Sequence, residues 1–189
     1  VIRLYVEHPL GVGQSVPLSR EQSHYLFGVM RKGVGEVLEL FNGRDGEWLA
    51  RVVETGKRDG ILLCERQSKT IMLPADLWLM FAPIKKARTD FIVEKATEMG
   101  AGQIMPVYTD FTNSERIRQD RLQSHVVEAA EQCGGTFVPP VLELQKLSLL
   151  LDGWDERQIM FCDETRLGKA ISFTQQPGPW AILVGPEGG

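Results

Sequence analysis

The stretch Trp180-Ala181-Ile182-Leu183-Val184-Gly185-Pro186-Glu187-Gly188-Gly189 decides how this chain is read. Its apolar half is a buried strand by composition and length. The glycine-rich half then falls at the strand's carboxyl end, where ligands bind in open α/β sheets. Glycine allows a sharp turn and a close approach of backbone to ligand. The run lacks the GxxxxGKS/T pattern of a Walker loop and is no GxGxxG fingerprint. Its amides and carbonyls suit a neutral or amphipathic ligand such as an adenosine; the plain alternative is a simple turn. The sequence begins at Val1 and stops at Gly189, where a binding loop should lead into its next element. It therefore reads as a protein trimmed at both ends, with part of its ligand site missing.

Upstream, Gln158 to Cys162 reads as another strand, ending in Phe161-Cys162-Asp163-Glu164. Acidic residues at such an end can bind ribose hydroxyls, or form an exposed loop and helix cap. A short helix is expected over residues 167–173. Further back, Asp76 to Ala82 reads as a buried strand, followed by a polar loop through Lys85, Lys86 and Arg88. A helix is expected from Thr89 to Met99, striped by Ile92, Ala96 and Met99 and stopped by Gly100. Gln103 to Tyr108 reads as a strand. A long helix over residues 116–133 carries Leu122, Val126, Ala130 and Cys133 on one face. Strands alternating with helices predict a mostly parallel α/β sheet over residues 73–189.

Residues 1–72 have a different rhythm. Ile2 to Val6, Gly35 to Phe41, Trp48 to Val53 and Ile61 to Cys64 read as short strands, separated by Asn42-Gly43 and Asp59-Gly60 turns. Ser19-x-x-Gln22 is a capping-box pattern opening a short helix through Tyr25, Leu26, Val29 and Met30. Together they predict a small β-barrel.

The composition is ordinary for a globular protein, at 43% hydrophobic and 24% charged. A net charge of −4 argues against a general nucleic-acid coat, which needs a broad positive field. Local basic clusters are nevertheless present. Lys85, Lys86 and Arg88 stand before a helix, where anions bind. Arg116, Arg118 and Arg121 stand at another helix start. Arg3 and Arg31-Lys32 add positive points in the barrel. Arg118 and Arg121 read best as a solvated face; Arg3, Arg31, Lys85, Lys86, Arg88 and Arg116 are the candidates for nucleic-acid phosphates. The three cysteines, Cys64, Cys133 and Cys162, are widely spaced and form no CxxC pair, so reduced and mostly buried thiols in a cytoplasmic protein are expected. No metal cluster, Ser-His-Asp triad or Cys–His pair stands out. Chemistry with an already activated cofactor, in which the protein positions substrates, fits better.

Several motifs occur in one order. They are Lys86 to Gly100 (KARTDFIVEKATEMG), Ile104-x-Pro106, Ser114-Glu115-Arg116, Glu128-Ala129-Ala130-Glu131-Gln132 and Gly185-Pro186-Glu187-Gly188-Gly189. With His24-x-x-x-x-x-Met30-Arg31 and Phe41-Asn42-Gly43, they resemble the bacterial 16S rRNA (uridine-1498, N3)-methyltransferases of the SPOUT superfamily. The resemblance covers essentially the whole chain. It implies a PUA-like RNA-binding β-barrel over 1–72 and an α/β SPOUT domain with a C-terminal trefoil knot over 73–189. It also implies S-adenosyl-L-methionine as cofactor, 16S rRNA of the small ribosomal subunit as substrate, and a homodimer.

The cofactor is then expected at Cys162, Asp163, Glu164, Gly185, Pro186, Glu187, Gly188 and Gly189. A later segment with leucine, glycine and arginine, which threads the knot in the family, is not in this sequence, and part of the pocket is expected to be lacking. Gly135 stands where relatives often carry arginine. No general base is named; Glu187 lies near the right loop, and orienting the backbone is its alternative role. The other readings are a non-catalytic RNA-binding module, or a related SPOUT methyltransferase acting on tRNA or another rRNA site.

Overall fold

A computed structural model describes residues 1–112, 117–154, 156–163 and 178–186. The chain divides into two units. One is Val1–Leu73 with Ala130–Val138; the other is Pro74–Ala129 with Pro139–Gly189.

In the first unit, short alternating segments form β1 (Arg3–Tyr5), β2 (Ser15–Pro17), β3 (Val37–Phe41), β4 (Glu47–Thr55) and β5 (Gly60–Lys69). They pair in the order β1-β3-β4-β5-β2, and only β1 and β3 run parallel. Alternate side chains turn inward, so Leu4, Val16, Leu38, Leu40, Ala50, Val52, Leu62 and Cys64 share one core. The β4–β5 ladder shifts register at three places. Such bulges increase strand twist and curl a sheet.

Between β2 and β3 the predicted capping box forms. The Ser19 hydroxyl accepts from the Gln22 amide at 3.2 Å, and the Gln22 side chain accepts from the Ser19 amide at 3.0 Å. The helix it opens, α1 (Arg20–Ser23), does not continue as expected through Met30. It widens into a π-helical turn, His24–Val29, with Leu26 fully buried. Asn42-Gly43 does not make a two-residue hairpin either. The Asn42 side chain accepts from the Arg44 and Asp45 amides, which lengthens the β3–β4 connection to residues 42–46.

Arg3 departs from expectation. Its guanidinium donates to Glu47 at 2.7 Å and to the carbonyls of Ala130, Glu131 and Gly135 at 2.7, 2.8 and 2.8 Å. It also lies 4.5 Å from the centre of the Phe41 ring. With only 11% of its side chain exposed, it is an internal tie and not a phosphate ligand. Burial tends to raise the Glu47 carboxyl, but hydrogen bonds from Arg3, Lys69 and Ser68 outweigh it and hold the carboxyl below its usual range. A lowered carboxyl contributes stability above its unfolded value, and that contribution is lost as pH falls through the folded value.

The second unit contains β6 (Leu77–Phe81), α2 (Lys86–Glu98), β7 (Gln103–Tyr108), α3 (Gln119–Cys133), β8 (Gln145–Lys146), α4 (Leu147–Asp152), β9 (Gln158–Cys162) and β10 (Trp180–Val184). The five strands among its described residues are all parallel, in the order β8-β7-β6-β10-β9. Met80, Met105, Val107, Ala181 and Leu183 form one buried cluster in it. The short β8 and α4 were not anticipated. The expected helix over residues 167–173 lies outside the described residues.

Helix α2 starts before Thr89, so Lys86 and Arg88 belong to its first turn and Lys85 is its cap residue. The Thr89 hydroxyl explains the early start. It accepts from the Ile84 amide at 3.1 Å and donates to the Ile84 carbonyl at 3.0 Å, closing the entry. The buried face is Thr89, Val93, Ala96 and Thr97; Met99, placed on the stripe by spacing, is 86% exposed at the helix end. On α3, Leu122, Val126 and Ala130 are buried as expected, whereas Cys133 is exposed. Cys162 is exposed too, which leaves Cys64 as the buried thiol among the described residues. No described helix is long and apolar enough to cross a membrane.

Candidate functional site

Parallel register brings the carboxyl ends of β6, β10 and β9 level. Phe81 pairs with Val184, and Val184 with Cys162. Chain order reverses here, since β7 and β8 extend from one side of β6 while β10 and β9 lie on the other. Such a switch point opens a crevice at the strand ends. The loops after these strands supply Ala82, Asp163, Gly185 and Pro186.

A cavity of about 730 Å³ opens at this edge. Its lining includes Phe91, Met99, Phe161, Ile182 and Val184, together with Asp163, Gly185 and Pro186. Phe91, Met99 and Phe161 are 57%, 86% and 54% exposed. Large apolar side chains left open beside a few polar groups mark a ligand or interaction surface. A smaller cavity of about 250 Å³ shares Ala82, Phe161, Val184, Gly185 and Pro186 and is otherwise lined from the β7 end. Of the wall residues, Phe91 escapes the sequence reading, Met99 reads as part of the buried helix stripe, and Phe161 reads only as the end of a strand. Their apolar character is ordinary for a helix and a strand, and only the sheet register gathers them.

The expected cofactor residues Cys162, Asp163, Gly185 and Pro186 therefore line one cavity. Glu164, Glu187, Gly188 and Gly189 lie outside the described residues. A Cβ added at Gly185 would meet only the Phe161 ring, at 3.8 Å, an ordinary contact. Packing among the described residues does not require glycine there, which leaves backbone approach to a ligand as a reason for it.

The expected RNA residues are dispersed. Lys85, Lys86 and Arg88 are exposed together at the start of α2. Arg31 is exposed on the first unit with φ 54, a left-handed conformation uncommon outside glycine. Arg116 lies outside the described residues. Arg118 pairs with Asp120 at 2.6 Å, and Arg121 pairs with Asp90. Arg118 is exposed, as expected of a solvated face, whereas Arg121 is half-buried in its pair with Asp90.

Comparison with known proteins identifies the family and the fold. A family model described as RNA methyltransferase domain matches residues 72–189, and one described as RNA methyltransferase PUA domain matches residues 18–63. The curated Ribosomal RNA small subunit methyltransferase E of Rickettsia conorii is 29% identical, over 99% of this chain and 78% of its own length. Its counterpart in Synechocystis is 28% identical, over 99% and 64%. A crystal structure of Ribosomal RNA small subunit methyltransferase E from Neisseria gonorrhoeae bound to S-adenosyl methionine has a TM-score of 0.87 at 26% identity, covering 99% of this chain and 80% of that one. A Legionella pneumophila methyltransferase structure with bound SAM has a TM-score of 0.85 at 23% identity, covering 100% and 81%, and supports the fold.

Proposed function

This chain belongs to the RNA methyltransferase family, and from that premise we propose that it uses S-adenosyl-L-methionine to methylate the N3 of a uridine in 16S rRNA of the small ribosomal subunit. The observation that carries the reading is the crevice where β6, β10 and β9 end, with a glycine loop, an acidic residue and apolar walls in one cavity. These residues fit the cofactor. Phe91 and Phe161 offer apolar surface to an adenosine, Asp163 offers a carboxylate to ribose hydroxyls, and Gly185 allows close backbone approach.

When bound, S-adenosylmethionine supplies a methyl group that is already electrophilic, which removes the need for a strong protein nucleophile. The protein's part is positioning and exclusion of water. The N3 of uracil lies on the Watson–Crick edge, so the target base is presented unpaired or flipped out. Lys85, Lys86 and Arg88 hold phosphates at the start of α2, and Arg31 and Arg116 extend the RNA contact. Glu164, Glu187, Gly188 and Gly189 complete the cofactor loops. The working form is a cytoplasmic homodimer, with residues 1–72 as its PUA-like domain and 73–189 as its SPOUT domain.

The deciding experiment supplies the protein with methyl-labelled S-adenosylmethionine and small subunits from cells lacking its gene, then maps the modified base. Label on N3 of one 16S uridine supports the reading. Label on tRNA or at another rRNA site moves the substrate. RNA binding without label or cofactor binding favours a non-catalytic module.

Two variants test the site separately. Gly185→Ala is expected to keep its melting temperature and to bind S-adenosylmethionine about tenfold more weakly by calorimetry, a change of about 1.4 kcal/mol. Unchanged affinity would remove Gly185 from the cofactor wall. Lys85→Glu with Lys86→Glu is expected to weaken rRNA binding about tenfold and to make its salt dependence shallower, by about 0.7 in log–log slope per lost contact. An unaltered slope would remove both lysines from the RNA surface.

A further inference from the structure

The turn after β7, residues 109–112, is held by its own side chains. The Thr112 hydroxyl accepts from the Thr109 amide at 2.9 Å, and the Thr109 hydroxyl accepts from the Phe111 amide at 3.2 Å. The Thr112 amide donates to the Thr109 carbonyl at 3.2 Å and closes the turn. These bonds fix the backbone that carries Phe111, yet Phe111 itself is 66% exposed. An aromatic side chain on a turn already held in place can take a ligand with little further ordering cost.

Thr109 and Phe111 line the smaller cavity, of about 250 Å³, with Val107, Leu147 and Phe161. Gly185 and Pro186 line both this cavity and the larger one, so occupants of the two would be neighbours across one loop. The volume falls below the ~300 to 1,000 Å³ of sites for drug-sized ligands and suits a single planar ring. No charged side chain lines the cavity among the described residues. Asp110, on the same turn, is turned to solvent with Lys146 3.8 Å away. Neither Phe111 nor Phe161 has an aromatic partner among the described residues. The hydroxyls add a polar element. Thr109 Oγ1 and Thr112 Oγ1 lie 3.2 Å apart and share one hydrogen bond. Two hydroxyls carry two protons, so one remains to donate elsewhere. With Thr112 donating to Thr109, that spare proton is on Thr109, at the cavity.

We propose that this cavity receives the unpaired target uracil, with its ring stacked on Phe111 and one of its carbonyl oxygens accepting from the Thr109 hydroxyl. Flipped-out bases are held in this way, by stacking on aromatic and apolar side chains and by hydrogen bonds to their Watson–Crick edge. The uncharged lining suits a neutral base, and the shared Gly185-Pro186 wall sets that base beside the cofactor cavity. A hydroxyl donor also selects among pyrimidines. It meets a carbonyl oxygen on uracil, where cytosine presents an amino group that is itself a donor. This assignment rests on the reading that the chain methylates a uridine of rRNA, and it names the subsite of the reacting base.

The test uses the full chain, methyl-labelled S-adenosylmethionine and small subunits from cells lacking its gene. Phe111→Ala is expected to lower kcat/KM for the subunit about tenfold, the loss of one base–aromatic stack. Its melting temperature and its S-adenosylmethionine affinity by calorimetry should not change, because Phe111 is exposed and does not line the larger cavity. Phe111→Trp keeps a stacking face and should retain activity. Thr109→Val is expected to lose about tenfold in kcat/KM, and Thr109→Ser to recover it. Irradiation of the wild-type protein with 16S rRNA carrying 4-thiouridine should cross-link RNA to the peptide containing Phe111. Full activity in Phe111→Ala, with no cross-link at this peptide, overturns the base site and leaves the function standing. Full activity in Thr109→Val overturns the hydroxyl contact. A fall in sedimenting mass in Phe111→Ala would make this surface an interface between copies and would also overturn the base site. A wild-type protein that labels no rRNA overturns both readings.

Discussion

Glu47→Ala is expected to destabilise the first unit by about 3 to 5 kcal/mol, the range for removing one partner of a buried ion pair. The Glu47 side chain is 0% exposed and receives Arg3 at 2.7 Å, Ser68 at 2.9 Å and Lys69 at 3.1 Å. Without that carboxylate the Arg3 guanidinium stays buried with only the Glu39 carboxylate, 3.9 Å away, as counter-charge, and is otherwise held by carbonyl oxygens and the Phe41 ring. The loss reaches beyond one contact. Arg3 ties β1 to the segment Ala130–Val138, and Tyr5 reinforces the tie through its amide to the Glu131 carboxylate at 2.8 Å. Hydrogen exchange during chemical denaturation is the measurement. Amides of β1, β3 and β4 should lose protection first. A loss below about 1 kcal/mol, typical of an exposed pair, would mean that the buried tie does not hold the unit together.

Gly46→Ala is expected to cost nearly as much, for a different reason. Gly46 has φ +78, and a Cβ there would sit 2.3 Å from the Lys69 carbonyl oxygen and 2.9 Å from the Gln67 side-chain nitrogen. The left-handed conformation costs an L-residue about 1 to 2 kcal/mol. Overlap with a backbone carbonyl that cannot swing aside adds about 1 to 3 kcal/mol. Gly13→Ala separates the two contributions, because Gly13 has φ +72 and open space where its Cβ would fall. The Gly13 variant should show the conformational cost alone. Equal destabilisation of the two variants, read from denaturation midpoints with unchanged slopes, would show that the β5 end yields to the methyl group.

Local signals made much of the fold legible. The runs Leu77–Phe81, Gln103–Tyr108, Gln158–Cys162 and Trp180–Val184 are strands as read, because short apolar runs bounded by turn residues have few other ways to bury themselves. Ser19 and Gln22 cap a helix three residues apart, an interaction whose partners are both in the local sequence. Gly100 ends α2 with φ +82, which an L-residue resists. The motif set likewise pointed to the family that the comparisons identify.

The misreadings share a cause. Arg3 resembles any exposed arginine until its partners are known, and those lie 44 and 127 positions away. The start of α2 depends on Thr89 reaching back to Ile84, in place of a side-chain cap at Lys85. Met99 fits a helical stripe by spacing, yet it falls at the helix end beside a cavity.

By itself, then, the sequence determined strands, helix caps, the glycine loop at a strand end and the family, all of which are written in neighbouring residues or in ordered motifs. Only the tertiary structure decided which charges are buried, which apolar side chains stand open at the β6–β10–β9 edge, and that Thr109, Phe111 and Gly185 line one cavity. Burial and shared surface depend on strand register and on pairings between distant segments, and no local window of sequence contains both partners.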